Sequence, residues 1–127
     1  MALTYTIDPD ERLVTITGEY AGPDEWAELL AQILDDPRRQ PGFALLRDLR
    51  GGTKPTDAKT VVAVIDVVRR FWPKLQFSRY AVLTPLGVDP AAQVAQALAE
   101  TTDELPLRVF TTYDEAMRWL RQGTLRS

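Results

Sequence analysis

An apolar run that ends in alternating charges stands near the middle of the chain, Phe43-Ala44-Leu45-Leu46-Arg47-Asp48-Leu49-Arg50. The glycine-containing segment 51–55 follows, and an apolar stretch with helical spacing extends from there to Trp72. This pattern predicts a buried strand, a loop and a helix. In an open α/β sheet, ligands and partners bind where such strands end. We therefore place the candidate binding site between Asp48 and the start of this helix.

The flanking segments predict four more strands. Apolar residues alternate with polar ones from Leu3 to Ile7, and segment 12–20 is rich in Thr, Val and Ile. The turn residues Asp8-Pro9 between them favour an antiparallel hairpin. Short apolar runs predict two further strands, at 79–84 and 105–110.

Helical spacing and capping residues predict four helices. Their predicted starts are Pro23, Thr56, Asp89 and Thr112. Pro37 ends the first helix, Pro73 is expected to stop the second, and Gly123 fits the C-terminal cap of the last. The second helix carries an apolar stripe composed of Val61, Val64, Ile65, Val68 and Trp72, which Val62 and Phe71 widen.

The predicted order of elements is ββαβαβαβα. Right-handed crossovers through helices make the later strands parallel to one another, and the hairpin contributes one antiparallel strand. The prediction is one α/β domain over residues 1–127, with a mixed, mostly parallel five-stranded sheet and four helices.

Composition narrows the chemistry that the chain can perform. It has 127 residues, with no cysteine and no histidine, so thiol nucleophiles and Ser-His arrangements are excluded. We expect no enzymatic activity, no cofactor and no metal site. The net charge of -3 argues against a nucleic-acid partner. Neither a signal peptide nor a membrane-spanning run is seen in the sequence, so we expect a cytoplasmic protein.

Three motifs, in this order, resemble the SpoIIAA-like family within the broader group of STAS domains. The first is the hairpin strand that ends in Gly18, and the second is the aspartate Asp48 that closes the third strand. The third is the segment 109–116, Val-Phe-Thr-Thr-Tyr-Asp-Glu-Ala, followed by Trp119-Leu120. The resemblance covers nearly the whole chain.

This resemblance implies a non-enzymatic binding domain. In the anti-sigma-factor antagonists of the group, a Ser or Thr at the start of the second helix is phosphorylated by a partner kinase. That residue follows a strand-end aspartate, which Asp48 matches, in an Asp-Ser-Ser/Thr-Gly motif. Here the Ser-Ser-Gly part is absent, and Thr56-Asp57-Ala58 stands at the helix start. Related domains resemble lipid-transfer modules, in which an apolar groove takes the ligand.

The candidate binding residues are Asp48, Gly51, Gly52, Thr53, Thr56, Asp57, Phe71 and Trp72. Thr56 is either a simple helix cap or a phosphorylatable hydroxyl, and phosphate at a helix N-terminus would be stabilised there. Asp48 either organises the loop as a hydrogen-bond acceptor or contacts a ligand or partner. The glycines are typical of a flexible turn, with a phosphate-binding loop as the alternative.

The aromatic pair Phe71 and Trp72 either packs in the core or marks a dimer interface, a partner surface or the mouth of an apolar pocket. Arginines gather around the third and fourth strands, either as solvated faces or as a patch for an anion or acidic partner. The first functional hypothesis is a regulatory protein–protein module that uses the loop after strand 3 and helix 2. The alternative is a carrier or sensor of a lipid-like molecule, with a groove bordered by Val64, Val68, Phe71 and Trp72. A homodimer stays open.

Overall fold

The predicted sheet forms in the structure, a computed structural model that describes residues 3–18, 22–49, 58–84, 97 and 105–124. Its strands are β1 (Leu3–Asp8), β2 (Leu13–Gly18), β3 (Ala44–Asp48), β4 (Tyr80–Leu83) and β5 (Leu107–Phe110). They lie in the order β1-β2-β3-β4-β5. The pair β1–β2 is antiparallel and the other three pairs are parallel, which confirms the predicted mixed sheet with its N-terminal hairpin.

Three helices lie within the described residues, α1 (Pro23–Asp35), α2 (Ala58–Leu75) and α3 (Tyr113–Thr124). The third helix predicted from the sequence, starting at Asp89, lies outside the described residues except for Ala97, which is helical. Among the described helices, none combines the length and the apolarity needed to cross a membrane.

The helices divide the core into two parts. Alternate strand residues, among them Ile16, Leu45 and Tyr80, face α1 and α2 and form the main core. Their neighbours, among them Leu46 and Ala81, face α3 and form a smaller core with Met117 and Leu120. Alternation of side chains along each strand therefore explains why the central strands are apolar on both faces.

The hairpin turn follows its predicted chemistry. Asp8 accepts hydrogen bonds from the amides of Asp10 and Glu11, at 3.0 and 3.2 Å. The amide of Arg12 donates to the carbonyl of Pro9, and Arg12 takes the left-handed conformation with φ of 55°. The turn thus fixes the register between β1 and β2.

Proline 73 does not stop α2, contrary to the prediction. The helix continues through Pro73 to Leu75, which is fully buried. Gln76, the residue after the helix, has φ of 55°, and its amide donates to the carbonyl of Trp72 at 3.0 Å. This left-handed cap, together with burial of Leu75, determines the end of the helix.

Gly123 is not the cap of the last helix either, because α3 continues to Thr124. A Cβ atom at position 123 would lie 2.8 Å from Cδ of Arg79. The glycine therefore makes room for the arginine instead of ending the helix. Val62, predicted to widen the apolar stripe of α2, is 46% exposed, whereas Val67, outside the predicted stripe, is buried.

Candidate functional site

The parallel strands place the candidate site at one edge of the sheet. Strands β2 to β5 run in the same direction, so their carboxyl ends meet along one side, which we call the carboxyl edge. Asp48 is the last residue of β3 and pairs with Leu83 of β4. Helices α2 and α3 each follow a strand that ends there, so both begin at this edge. The predicted position of Asp48 is thus confirmed.

Asp48 is half-buried at this edge. A carboxylate in this setting can accept hydrogen bonds from the following loop while presenting an oxygen to a partner. Both predicted roles of Asp48 therefore stay compatible with its position. Gly51, Gly52, Thr53, Thr56 and Asp57 lie outside the described residues, so their roles stay predictions.

Arg47, the neighbour of Asp48, is not among the predicted site residues; the sequence places it in a cluster of arginines that is either a solvated face or a patch for an anion or acidic partner. In the structure Arg47 is only 3% exposed. Its Nη2 donates to the carbonyl of Gly18 at 3.1 Å and its Nη1 to that of Ile16 at 3.4 Å, while its guanidinium lies 5.7 Å from the ring centroid of Trp26. Position 47 shares its strand face with Leu45 and Leu49, and this parity is the signal that predicts burial.

The positive charge of Arg47 lies beside a buried phenol. Burial raises the pKa of Tyr80 to about 12, because the charged phenolate is disfavoured away from water, and the Arg47 charge acts in the opposite direction. Thr84, which follows β4 at the same edge, is also buried, and its amide donates to the carbonyl of Phe110 at 2.9 Å. Arg47 and Thr84 are therefore buried polar residues at the carboxyl edge, whereas Tyr80 begins β4 and lies towards the other end of that strand.

Phe71 and Trp72 do not lie with Asp48. They belong to the last turns of α2, which runs back across the sheet. They therefore lie towards the amino ends of the parallel strands, away from the carboxyl edge. Both are half-buried and pack against the main core. The Trp72 ring lies 5.7 Å from that of Phe77 and 6.2 Å from that of Tyr80. These contacts favour the core interpretation of the pair over a shared site with Asp48.

Within the described residues, the arginines around the third and fourth strands contact other groups of the same chain, several of them as exposed ion pairs. Arg38 binds Asp36 through two hydrogen bonds, and this pairing holds the pKa of Asp36 well below its usual range. Arg39 donates to the carbonyl of Leu75 at 2.7 Å. Arg69 and Arg70 both contact Asp66.

Arg79 donates to the carbonyl of Trp119 at 2.7 Å and lies 4.8 Å from the centroid of its indole ring. The half-buried Trp119 also contacts the ring of Phe110, at 5.6 Å. Arg79 therefore stabilises α3 against the sheet.

Two large apolar side chains are exposed among the described residues, and both lie near the carboxyl edge. Val62, 46% exposed, is in the second turn of α2, and Tyr113, 39% exposed, is the first residue of α3. An open concavity of about 440 Å³ runs beside α3 from Tyr113, and its lining residues are Tyr113, Asp114, Met117, Arg118, Arg121 and Gln122.

In the part of the chain that the structure describes, no group of acidic side chains is arranged to hold a metal ion. Comparison with protein-family models, with curated proteins and with solved structures finds no match to this chain.

Proposed function

We propose that this chain is a non-enzymatic regulatory binding module of the SpoIIAA/STAS type. Its contact surface is the loop after β3 together with the start of α2. The observation that carries the proposal is the exposure of Val62, in the second turn of α2, near the end of the sheet where Asp48 ends β3. Tyr113 is exposed as well, but it belongs to α3, which packs on the other face of the sheet. Apolar anchors beside charged side chains are the usual composition of a protein-binding surface.

The surroundings of Val62 support a protein partner over a small molecule. Lys59 is exposed one turn before Val62, and Asp66 lies one turn after it, held by Arg69 and Arg70. An exposed valine among charged side chains on a helix surface offers an apolar contact with a polar rim. This arrangement suits a partner that covers the helix.

Thr56 supplies the proposed control of this surface. It precedes the first described residue of α2, Ala58, by two positions. A phosphate there would add negative charge at a helix N-terminus, next to Asp57 and close to Lys54 in sequence. We propose that the modification changes partner affinity at the neighbouring loop.

Quantitative partner capture tests the proposal. Tagged Asp48→Ala and Thr56→Glu chains are incubated with extract from the cell that makes the protein, and bound proteins are quantified by mass spectrometry. We expect at least one protein to change its recovery about tenfold or more with both variants, as at an interface hot spot. Asp10→Ala, in the hairpin turn, and Gln32→Glu, on the exposed side of α1, are matched controls that should leave recovery unchanged. Unchanged recovery with both site variants, while their melting temperatures match the wild type, contradicts the proposal.

The lipid-carrier hypothesis makes a different prediction. Val68, one of its four groove residues, is fully buried in the main core, and Trp72 is packed between aromatic rings. A ligand would therefore have to displace core contacts to reach them. We expect no rise in melting temperature with a panel of fatty acids and phospholipids. A saturable rise that Trp72→Ala abolishes would favour the carrier over the regulatory module.

A further inference from the structure

Strand β1 ends the sheet on one side, and its outward backbone groups can be identified. The amide of Ala44 donates to the carbonyl of Arg12, so the backbone at Arg12 faces β3. Alternation along β2 then directs Thr15 and Thr17 towards β1, where Thr6 and Thr4 are their partners. The backbone groups of Leu3, Tyr5 and Ile7 consequently point away from the sheet.

A second contact gives the same assignment. The amide of Leu3 donates to Oε2 of Glu25 at 2.9 Å, and therefore does not pair with Gly18, its neighbour in β2. Glu25 thus occupies one outward donor. Among the described residues no strand pairs with the outer side of β1. The backbone amides and carbonyls of Tyr5 and Ile7 point to this side as well.

The edge carries protecting features only at its ends, where Glu25 occupies the amide of Leu3 and where Asp8, the last residue of β1, is followed by Pro9. From Leu3 to Ile7 there is no charged residue and no proline, and the residues are β-branched or aromatic except for Leu3. Edge strands of natural proteins are usually interrupted by lysine, proline or a bulge, because an open edge pairs with other chains. The middle of β1, from Thr4 to Ile7, has a composition suited to pairing.

The edge is also held in a fixed shape. The hydroxyl of Tyr5 donates to Asp36 at 2.9 Å, and Arg38 binds the same carboxylate. On the other face the hydroxyls of Thr4 and Thr17 are hydrogen-bonded at 3.0 Å. Strand pairing would therefore cost little ordering of β1.

We propose that β1 pairs antiparallel with β1 of a second copy of this chain, around a two-fold axis at Tyr5. Tyr5 is the midpoint of the outward residues, so this axis matches Tyr5 with its counterpart and Leu3 with Ile7 of the second copy. Glu25 already accepts from the amide of Leu3, so at this pair only the carbonyl of Leu3 takes part, as acceptor for the amide of Ile7 of the second copy. Thr4 of one copy faces Thr6 of the other. The match places no like charges opposite each other between Leu3 and Ile7, which makes the edge complementary to itself.

A charge-swap experiment on the full chain tests this interface. Thr4 and Thr6 are exposed, so both can be changed without filling the core. Thr4→Lys with Thr6→Lys places lysine opposite lysine at both symmetry-related positions. Thr4→Lys with Thr6→Glu places lysine opposite glutamate and is the matched control, since it alters the same two residues. Sedimentation over a dilution series measures the dimer dissociation constant of each chain.

We expect a dimeric wild type, a dissociation constant raised about tenfold or more by the double-lysine variant, and a dimer retained by the lysine–glutamate variant. Thermal melts of the dilute monomers should agree between the two variants, which separates assembly from folding. A wild type that is monomeric at every concentration overturns the proposal. So does a dimer that both variants weaken equally, or that neither weakens.

Discussion

Arg47 and Tyr80 show how single buried polar residues affect the central strands of the sheet. The guanidinium of Arg47 is nearly excluded from water, and its donors meet backbone carbonyls of β2. Tyr80 is enclosed in the same core and stacks on Trp72. Buried polar groups of this kind require defined geometry, so they favour one arrangement of the central strands.

The raised pKa of Tyr80 predicts an alkaline loss of stability. The folded chain keeps the phenolic proton up to about pH 12, whereas the unfolded chain loses it near pH 10.0. Stability is therefore fully present below about pH 10 and falls as the pH rises through 12, by about 1.4 kcal/mol per pH unit in that window. Urea unfolding at a series of pH values should show a shallower alkaline fall for Tyr80→Phe than for the wild type. Equal slopes would mean that the phenol does not titrate differently on folding.

At the scale of elements, the helix ends are set by contacts across the molecule as well as by local sequence. Helix α2 passes its proline and ends just before Gln76, whose carbonyl accepts a hydrogen bond from Gly42 at 2.8 Å. Helix α3 has a glycine in its last turn, and a Cβ atom at this position would come too close to the side chain of Arg79. Capping by Thr112 at the start of α3 follows local rules: its hydroxyl accepts from the amide of Glu115, although the glutamate accepts from that hydroxyl instead of the backbone.

The left-handed end of α2 predicts a stabilising substitution. Glycine adopts positive φ without steric cost, so Gln76→Gly should raise the free energy of unfolding by about 1 kcal/mol. Gln32→Gly, at an exposed interior position of α1, is the control and should lower it by a similar amount. Urea denaturation measures both. A loss of stability in both variants would contradict the cap assignment.

The contact between Gly123 and Arg79 predicts that alanine has opposite effects in two backgrounds. In the wild type, Gly123→Ala should lower the free energy of unfolding by about 0.5–1 kcal/mol, because Arg79 must leave Trp119. In an Arg79→Ala background the same change should raise it by about 0.5–1 kcal/mol, the usual helix preference for alanine. Additive effects in this double-mutant cycle would show that the two residues are not coupled.

At the scale of the whole molecule, the sequence predicts the order of strands and helices along the chain better than the grouping of residues into a site. The hairpin alternation from Leu3 and the apolar run at Phe43 are strong periodic signals, and both strands form. Asp48 could be placed because it ends a strand whose direction follows from the crossover rule. Phe71 could not be placed in this way. It lies about 20 Å along α2 from the start of the helix, and is therefore distant from the predicted loop site. The helix ends predicted from Pro73 and Gly123 are wrong because they depend on tertiary contacts. These contacts are the burial of Leu75 and the position of the Arg79 side chain.

The two proposed surfaces lie on different parts of the molecule. The proposed regulatory partner contacts Asp48 and Val62 at the carboxyl edge, whereas the proposed dimer forms through β1 at the end of the sheet. A dimer formed through β1 would leave the start of α2 uncovered. Partner binding and self-association can therefore be tested separately.

Site-specific photo-crosslinking is the most direct test of the proposed partner surface. A photoreactive amino acid replaces Val62 in one chain and Gln32, on the exposed side of α1, in another, and both are irradiated in the cell that makes the protein. We expect a covalent adduct with one distinct protein from position 62, reduced by Asp48→Ala, and no such adduct from position 32. Adducts of equal yield from both positions, or from position 32 alone, would contradict a partner surface at the carboxyl edge.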